Sequence, residues 1–484
     1  MCERGYFFAL KFPEGGEEVT QKYDVIVVGA GPAGIFAALE MVRYGSGLKV
    51  LVLEKGHDLE RRHCPSKEGG VACRHCSPCS MVSGWGGAGA FSDGKLTLSP
   101  EVGGWLSEYI PEREVECLID YVDGIYRSFG APEKVYGGPE DERIAEIQRK
   151  AILADLKLIP APIRHLGTGR TQEILKAMKD YLLEKGVEIR TEEPVEEILI
   201  TEGRRIRGVV TRAGEEITAR YVVLAPGRQG ADWLRKVANR LGLELAVNPV
   251  DVGVRVEVPA VVMEHLTDVI YESKFIFYSR KFDDRVRTFC MNPHGEVVLE
   301  NNEGLVTVNG HSYADKKTDN TNFALLVSKT FTEPFKEPIA YGRYIAGLAN
   351  LLGGGVLVQR LGDLLSGRRT THDRLSKGLV TPTLKEATPG DLSLVFPYRH
   401  LTAIVEMLEA MDKIAPGVYS RHTLLYGVEV KFYSSRLKLN SNLMTEVEGL
   451  YAIGDGAGVT RGLAQASAAG VIAARDILAR EGKG

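Results

Sequence analysis

The strongest constraint on the fold is a glycine-rich turn between two apolar runs, within residues 23–56. Residues 25–28 are long enough for a buried strand, a helical pattern follows the turn, and a second apolar run ends at Glu54. The turn has the GxGxxG spacing, with its glycines at Gly29, Gly31 and Gly34. This order of strand, turn, helix and strand is typical of dinucleotide-binding units. We therefore predict a Rossmann-type parallel sheet in an α/β protein.

Each position of this turn has a predicted task. Gly29 permits the tight turn, Gly31 leaves room for a pyrophosphate, and Gly34 lets the helix pack on the strand. The helix N-terminus presents free N–H groups and the positive end of its dipole to the phosphates. Glu54 lies where a carboxylate can accept hydrogen bonds from the adenosine ribose.

Composition limits the classes of function. The 484 residues allow two or three domains, and 44% apolar with 26% charged residues is ordinary for a globular protein. The net charge of −4 gives no electrostatic support for a nucleic-acid partner. No apolar run approaches the roughly 18 residues of a membrane span, and the N-terminus is too acidic and too interrupted for a signal peptide. We predict a cytoplasmic protein with no nucleic-acid partner and no membrane span.

Periodicity predicts the remaining elements. One helix face runs over 114–129, and Thr171 as N-cap begins a second helix that ends at Gly186. Short β runs lie at 187–190, 197–200, 206–212 and 216–218 and lead into a buried run at 221–225. These runs predict an antiparallel meander that returns to the sheet. From about residue 232 the runs alternate, which predicts a mainly antiparallel sheet, and a terminal strand and small-residue helix follow at 449–455 and 462–479.

Three segments resemble the two-domain flavoproteins of the glutathione-reductase type: the first glycine motif, the turn at 225–227 and the terminal GLYAIGD. More closely, the chain resembles a family of FAD-dependent dehydrogenases whose substrates are largely unassigned. This resemblance is carried by GGAGAFSDGKL (86–96), RHLGTGR (164–170), MNPHGEVV (291–298), VNGHS (308–312) and GVEVKFYSSRLKL (427–439). It implies bound FAD rather than free NAD, and a flavin-dependent redox reaction without naming the substrate.

The expected fold is a Rossmann-type FAD-binding domain, with a parallel sheet and a β-meander, into which a mainly antiparallel α+β substrate domain is inserted. The FAD-binding domain is predicted to be discontinuous, over 20–100, 160–231 and 420–484. Residues 101–159 are expected to form a helical insertion, and 232–419 a substrate or cap domain.

The resemblance assigns FAD contacts to particular residues. Asp455 is expected at the ribityl hydroxyls, Val195 at the adenine, and the start of the last helix at the flavin N1/O2 edge. The full predicted set is Gly29, Gly31, Pro32, Ala33, Gly34, Glu54, Lys55, Arg62, Gly86, Gly87, Ser92, Asp93, Val195, Ala225, Pro226, Gly227, Gly454, Asp455, Gly462, Leu463 and Ala464.

Four of the seven cysteines fall close together, at Cys64, Cys73, Cys76 and Cys79. A CxxCxxC run with a remote fourth cysteine is similar to iron–sulfur ligation, and four thiolates also suit Zn²⁺. Disulfide reductases carry their reactive dithiol at the same point along the chain, so a redox dithiol is a third reading and unliganded thiols a fourth. The sequence leaves these alternatives open.

Hydride transfer at flavin N5 needs orientation and, for many substrates, a proton donor or acceptor. The predicted catalytic candidates are Lys95, His165, Ser434 and Arg436. No second nucleotide-binding pattern follows, so electrons are expected from an external carrier, ferredoxin or NAD(P)H, or from the substrate. The sequence is also compatible with a homo-oligomer.

The leading hypothesis is an FAD-dependent dehydrogenase or reductase acting on a small organic molecule, with an iron–sulfur cluster as an added electron relay. The core also resembles geranylgeranyl reductases, which makes C=C reduction one option. The rival hypotheses are a thiol–disulfide reductase that uses Cys73, Cys76 and Cys79, and a flavin-containing RNA-modification or RNA-binding protein.

Overall fold

The computed structural model describes residues 22–45, 47–64, 76–91, 94–138, 141–167, 169–246, 249–302, 304–312, 317–331, 337–431 and 436–483. Its strands are β1 (Tyr23–Val28), β2 (Val50–Glu54), β3 (Lys95–Thr97), β4 (Val135–Tyr136), β5 (Lys157–Ile159), β6 (Ile163–His165), β7 (Glu188–Thr191), β8 (Val195–Ile200), β9 (Ile206–Thr211), β10 (Glu216–Leu224), β11 (Leu245–Ala246), β12 (Val250–Pro259), β13 (Lys274–Tyr278), β14 (Arg285–Asn292), β15 (Glu296–Asn302), β16 (Leu305–His311), β17 (Asn320–Lys329), β18 (Leu357–Arg360), β19 (Thr388–Pro389), β20 (Leu424–Lys431), β21 (Arg436–Leu437) and β22 (Leu450–Ala452).

The helices are α1 (Pro32–Tyr44), α2 (Glu112–Ser128), α3 (Glu142–Leu153), α4 (Arg170–Glu184), α5 (Ala231–Leu241), α6 (Ala260–Thr267), α7 (Pro338–Gly353), α8 (Leu361–Leu365), α9 (His372–Ser376), α10 (Tyr398–Asp412) and α11 (Leu463–Arg480). Short 3₁₀ turns link several of these elements, among them Gly87–Phe91 and Asp455–Ala457.

The first sheet is built on parallel strands in the order β7, β2, β1, β10, β22. Every residue of β2 is buried, as expected where helices cover both faces of a parallel sheet. The start of β10, residues 216–218, pairs antiparallel with β9, which pairs with β8. The predicted Rossmann-type sheet with its β-meander is confirmed.

The second sheet has the order β19, β18, β20, β12, β17, β14, β13, β5 and is antiparallel except between β18 and β19. The valines of β12 alternate along the strand and pack into a core that includes side chains of α7 and α10. The residues between them include Asp251, Arg255 and Glu257, which are also buried. This confirms the predicted, mainly antiparallel second sheet.

A buried polar network lies on this sheet. Arg255 and Glu429 are fully buried, and two guanidinium nitrogens donate to the carboxylate at 2.7 and 2.8 Å. Arg255 also donates to Asn322 Oδ1 at 3.0 Å, and a Cβ on Gly310 would overlap that same oxygen. Burial alone would raise the pKa of Glu429, but the Arg255 charge holds it below its ordinary value. The network therefore keeps this carboxylate ionised, and it explains why Gly310 carries no side chain.

Three local expectations differ from the structure. α4 begins at Arg170 after Gly169, so Thr171 is not the N-cap; its hydroxyl instead donates to Gly167 O at 3.0 Å. The runs 216–218 and 221–225 belong to one strand, β10, whose start pairs with β9 and whose later part pairs with β1 and β22 within the same sheet. Within 101–159, besides two helices, β5 pairs with β13 and so lies in the second sheet.

Helix α11 packs directly on α1, and Gly470 makes this approach possible. A Cβ at Gly470 would overlap Ala33 O and lie 2.8 Å from Ala37 N, both of which are backbone atoms of α1. The helices therefore touch backbone to backbone, which fixes the relative position of their N-termini.

We expect Gly470→Ala to lower the free energy of unfolding by about 1–3 kcal/mol, because backbone atoms cannot move aside as flexible side chains do. Gly124→Ala in α2 is the matched control: its Cβ would meet nothing within 4 Å, and helical glycine costs about 0.5–1 kcal/mol relative to alanine. Urea unfolding of both variants measures the effect. Equal stability changes in the two variants would contradict the close helix contact.

Candidate functional site

The three glycines of the first turn face different surroundings. A Cβ on Gly29 would overlap Ala225 O of the neighbouring strand end, and one on Gly34 would overlap Gly29 O. A Cβ on Gly31 would meet nothing within 4 Å. Packing therefore explains glycine at two of the positions, whereas at Gly31 it leaves open space beside a helix N-terminus. Such a space fits a ligand that approaches the backbone closely.

Glycines from separate segments surround this space, and we call Gly31, Gly87, Gly227 and Gly462 the glycine cradle. A Cβ on Gly87 would lie 3.1 Å from Gly31 Cα, and one on Gly462 would lie 3.5 Å from Gly103 Cα. Gly227 has φ of +62° and open space around it. Its N atom would lie 3.0 Å from a Cβ on Gly456, so the 3₁₀ turn after β22 meets the turn after β10.

Helices α1 and α11 begin side by side at this cradle. Neither N-cap residue, Gly31 or Gly462, has a side chain that bonds to the first N–H groups. We call residues 80–91 the glycine loop. A Cβ on Gly89 of this loop would lie 2.8 Å from Leu463 Cδ2 and 3.8 Å from Pro32 Cγ, so the glycine loop lies close to both helix starts. Two positive dipole ends and their uncapped N–H groups thus converge, which favours an anionic ligand.

Glu54 connects the turns beneath the cradle. Its Oε2 accepts from Ala30 N at 2.8 Å, and its Oε1 accepts from Gly56 N and Gly84 N, each at 2.9 Å. The side chain is buried. These N–H groups come from three different turns, so one carboxylate joins the GxGxxG turn, the end of β2 and the glycine loop.

Arg62 holds the glycine loop from the other side. Its guanidinium donates to Ser80 O at 2.8 Å, Trp85 O at 2.6 Å and Gly87 O at 2.9 Å, and it stacks on the Phe91 ring at 4.7 Å. Burial lowers the pKa of Arg62 to about 10, and the nearby Glu54 charge opposes this. The sequence indicates Arg62 as a ligand contact, and its partners are the carbonyls of the loop itself.

Asp455 follows β22 at the floor of the site. Thr460 Oγ1 donates to its Oδ1 at 2.8 Å, and Arg228 Nε lies 3.3 Å from its Oδ2. Burial raises the pKa of Asp455, and the Arg228 charge lowers it. A Cβ on the preceding Gly454 would lie 3.1 Å from Ala33 Cβ, which brings this carboxylate to the start of α1.

Lys95 and His165 are neighbours, although they are far apart in sequence. They are paired residues of the antiparallel strands β3 and β6, so their side chains lie on one face. Lys95 Nζ lies 4.9 Å from the centre of the Tyr271 ring, and Tyr271 Oη is 3.0 Å from Ser312 Oγ. A cation, an imidazole and two hydroxyls therefore lie close to one another. Tyr271 is a residue that sequence reasoning missed.

Arg436 has a different environment from the other catalytic candidates. It forms an ion pair with Glu108 at 2.6 Å and stacks on the Tyr109 ring at 5.7 Å. Burial raises the pKa of Tyr109, and the Arg436 charge lowers it. Arg436 therefore links β21, the strand to which it belongs, to the 3₁₀ turn Leu106–Glu108.

The remaining predicted ligand contacts lie around the same sheet edge. Val195 is buried at the start of β8. The burial of Lys55 lowers the pKa of its own ammonium group, whereas the charge of Glu54 raises it. Gly86 N donates to Ala30 O at 2.8 Å. Ala225 N donates to Val28 O at 2.7 Å, and Pro226 packs against Gly230.

Three predicted site residues, Ser92, Asp93 and Ser434, lie outside the described residues.

The cysteine segment is described only in part, because Cys73 lies outside the described residues. Cys64 and Cys79 are half-buried free thiols, and Cys76 is exposed. Within the described ranges, no group of three or more His, Cys, Asp or Glu side chains is arranged to hold a metal ion. Arg62 Nε donates to the carbonyl of Ser80, the residue that follows Cys79, at 2.8 Å.

Comparisons with known proteins identify similar families and folds. A family model described as FAD dependent oxidoreductase matches residues 24–330, and one described as FAD-dependent protein, C-terminal domain-like matches residues 249–432. A Clostridium beijerinckii protein described as uncharacterized is 29% identical over 489 residues, which cover 96% of this chain and 82% of that protein.

Solved structures give a coarser likeness. The 3-ketosteroid-delta4-(5alpha)-dehydrogenase of Rhodococcus jostii is 16% identical over 95% of this chain and 98% of its own, with a TM-score of 0.43. Glycine oxidase from Bacillus cereus is 16% identical over 95% and 96% of the two chains, with a TM-score of 0.34. Separately, none of the described helices has the length and apolarity to cross a membrane.

Arg62→Lys tests whether the glycine loop depends on this guanidinium. A single ammonium cannot bond three carbonyls in fixed directions, so we expect stability to fall by about 2–4 kcal/mol and bound flavin per chain to fall with it. Arg61→Lys is the matched control, because Arg61 is exposed and pairs only at the surface with Glu192, which is worth about 0–1 kcal/mol. Absorbance ratios and thermal melts measure both. Full flavin content in Arg62→Lys would contradict this role.

Proposed function

This chain belongs to the FAD dependent oxidoreductase family, and on that premise we propose that it transfers a hydride between N5 of a bound FAD and a small organic substrate. The observation that carries the proposal is the glycine cradle at the adjoining starts of α1 and α11. FAD supplies the two-electron chemistry when bound, and the chain supplies binding, orientation and proton handling.

The helix starts divide the cofactor between them in this proposal. Pro32 has no N–H, so the N–H groups of Ala33 and Gly34 are the donors for the diphosphate. The N–H groups of Leu463 and Ala464 would hold the pyrimidine edge of the flavin, where a positive dipole end stabilises negative charge. Asp455 would accept from the ribityl hydroxyls, since its position after β22 brings it to the start of α1.

Glu54 takes a double role in the proposal. A carboxylate has about four acceptor positions, and backbone N–H groups use three of them here. The one left, on Oε2, is the acceptor proposed for an adenosine ribose hydroxyl. Val195, at the start of the meander, remains the proposed neighbour of the adenine. The same carboxylate thus builds the turns and contacts the ligand.

Proton handling is assigned to the group around Lys95. Lys95 Nζ lies over the Tyr271 ring, 4.9 Å from the ring centre, as a cation–π contact. Tyr271 Oη and Ser312 Oγ can pass a proton between them at 3.0 Å, and His165 shares the Lys95 face. Arg436 is proposed as a positioning residue for Tyr109, because its charge is already paired with Glu108.

The experiment starts with the anaerobic absorbance spectrum of purified protein, in which flavin bands at about 450 nm are expected. NADPH, reduced ferredoxin and panels of amino acids, alcohols and enoates are then tested for reduction or reoxidation of the flavin. With any reactant that works, Lys95→Met should slow the flavin step by about 10²–10⁴-fold at unchanged flavin content.

Lys157→Met is the matched control, since Lys157 is exposed and pairs with Glu101. Its flavin kinetics should equal those of the wild type. A colourless protein that takes up no FAD would contradict the proposed function. A flavin step as fast in Lys95→Met as in the wild type would remove Lys95 from the mechanism.

A second candidate function is an electron relay at the cysteine segment. The contacts of Arg62, which precedes Cys64 by two residues, favour it. Arg62 donates to Ser80 O, next to Cys79, and also to Trp85 O and Gly87 O of the glycine loop. We propose that Cys64, Cys73, Cys76 and Cys79 exchange electrons with the flavin, either as iron–sulfur ligands or as a dithiol. A zinc site with a structural role is the third reading.

Cys76→Ser distinguishes these readings, with Cys117→Ser on the exposed face of α2 as the control. An iron–sulfur protein loses iron and brown absorbance, a zinc protein loses zinc, and a dithiol enzyme loses turnover with its spectrum unchanged. Metal counts and spectra measure these outcomes. If Cys76→Ser behaves like Cys117→Ser in all three respects, the relay is wrong.

A further inference from the structure

Helix α7 exposes an apolar stripe to solvent. Its inner side, which includes Ile345, Ala346 and Ala349, packs into the core of the second sheet. Its outer side presents large apolar residues at helical spacing, which we call the α7 stripe: Tyr344, Leu348, Leu351 and Leu352. Tyr344 is 78% exposed and Leu351 is 81% exposed. A helix that is apolar on both sides is normally buried on both sides, but among the described residues nothing covers the α7 stripe.

The α7 stripe carries almost no charge. Arg343 is the one charged residue within the span of α7. A helix that lies in a membrane surface has basic residues along its polar flank, and a charged protein partner needs complementary charges. The α7 stripe offers neither, whereas an uncharged surface can meet an identical copy of itself without burying unpaired charge.

We propose that the α7 stripe is the contact between two copies of this chain, related by a two-fold axis. In such an interface the same surface is used by both subunits. One tyrosine and three leucines contribute roughly 400–500 Å² per copy, and two copies give about 800–1,000 Å². This approaches the roughly 1,000 Å² expected of a specific interface before the surrounding residues are counted. Gly347 lies between the large residues, and a Cβ there would meet nothing within 4 Å, so the two helices can approach closely.

The test measures the solution mass of the flavin-loaded protein by light scattering after gel filtration, over the micromolar range. The wild type should have twice the mass of one chain. Leu351→Glu should have the mass of one chain at the same concentrations, because two carboxylates would face each other at the axis. Unchanged flavin content and far-UV circular dichroism confirm that the variant is folded, and Leu351→Asn is a milder second variant that should weaken the dimer.

Leu153→Glu is the matched control. Leu153 is 82% exposed at the end of α3, so the same charge is introduced at an equally exposed leucine, and the dimer should persist. A wild type with the mass of one chain throughout the range would overturn the proposal. So would a Leu351→Glu variant that stays dimeric. Co-sedimentation of a single-chain wild type with phosphatidylglycerol vesicles, lost in Leu351→Glu, would overturn it in favour of a lipid surface.

Discussion

Contact between backbones at glycine is the constraint on which the candidate site depends. Gly34 lies against Gly29 O, Gly29 against Ala225 O, and Gly470 against Ala33 O, with no room for a Cβ at any of them. These contacts bring the ends of two parallel strands and the starts of two helices to one point. At this point the dipoles of α1 and α11 can act together on one ligand, because the effect of a helix dipole falls off within the first turn of the helix. The chemistry proposed for the site therefore follows from packing that excludes side chains.

Two buried charges keep the loops of the site in place. Glu54 accepts from three backbone N–H groups, and Arg62 donates to three backbone carbonyls. Hydrogen bonds to charged groups are worth about twice as much as neutral ones, and losing one partner leaves a charge buried without compensation. In the second sheet, Arg255, paired with Glu429, donates to Asn309 of β16 and to Asn322 of β17, and so joins the hairpin β15–β16 to the sheet. Irregular glycine-rich segments thus gain fixed positions from single ionised side chains.

Much of the fold could be predicted from local patterns, because the parallel strands are short apolar runs and the turns carry their glycines at fixed spacing. Three features could not. The Thr171 expectation was wrong, because Gly169, with φ of +92°, is the N-cap and lies two residues before Thr171. The pairing of Lys95 with His165 and the contact of Lys95 with Tyr271 depend on strand register between distant segments, for which three-residue strands give no periodic signal. The motif glycine Gly310 was visible in the sequence, but its reason, the Arg255 network, was not.

The central claim is that the glycine cradle holds a diphosphate at two helix starts. Its most direct test is an equilibrium titration of the deflavinated protein with FAD and with riboflavin, followed by flavin fluorescence. Riboflavin has the same ring and ribityl chain but lacks the diphosphate and adenosine. If the glycine cradle binds the diphosphate, FAD should bind at least about 100-fold more tightly than riboflavin, a difference of about 2.7 kcal/mol. Equal affinity for the two ligands would contradict it.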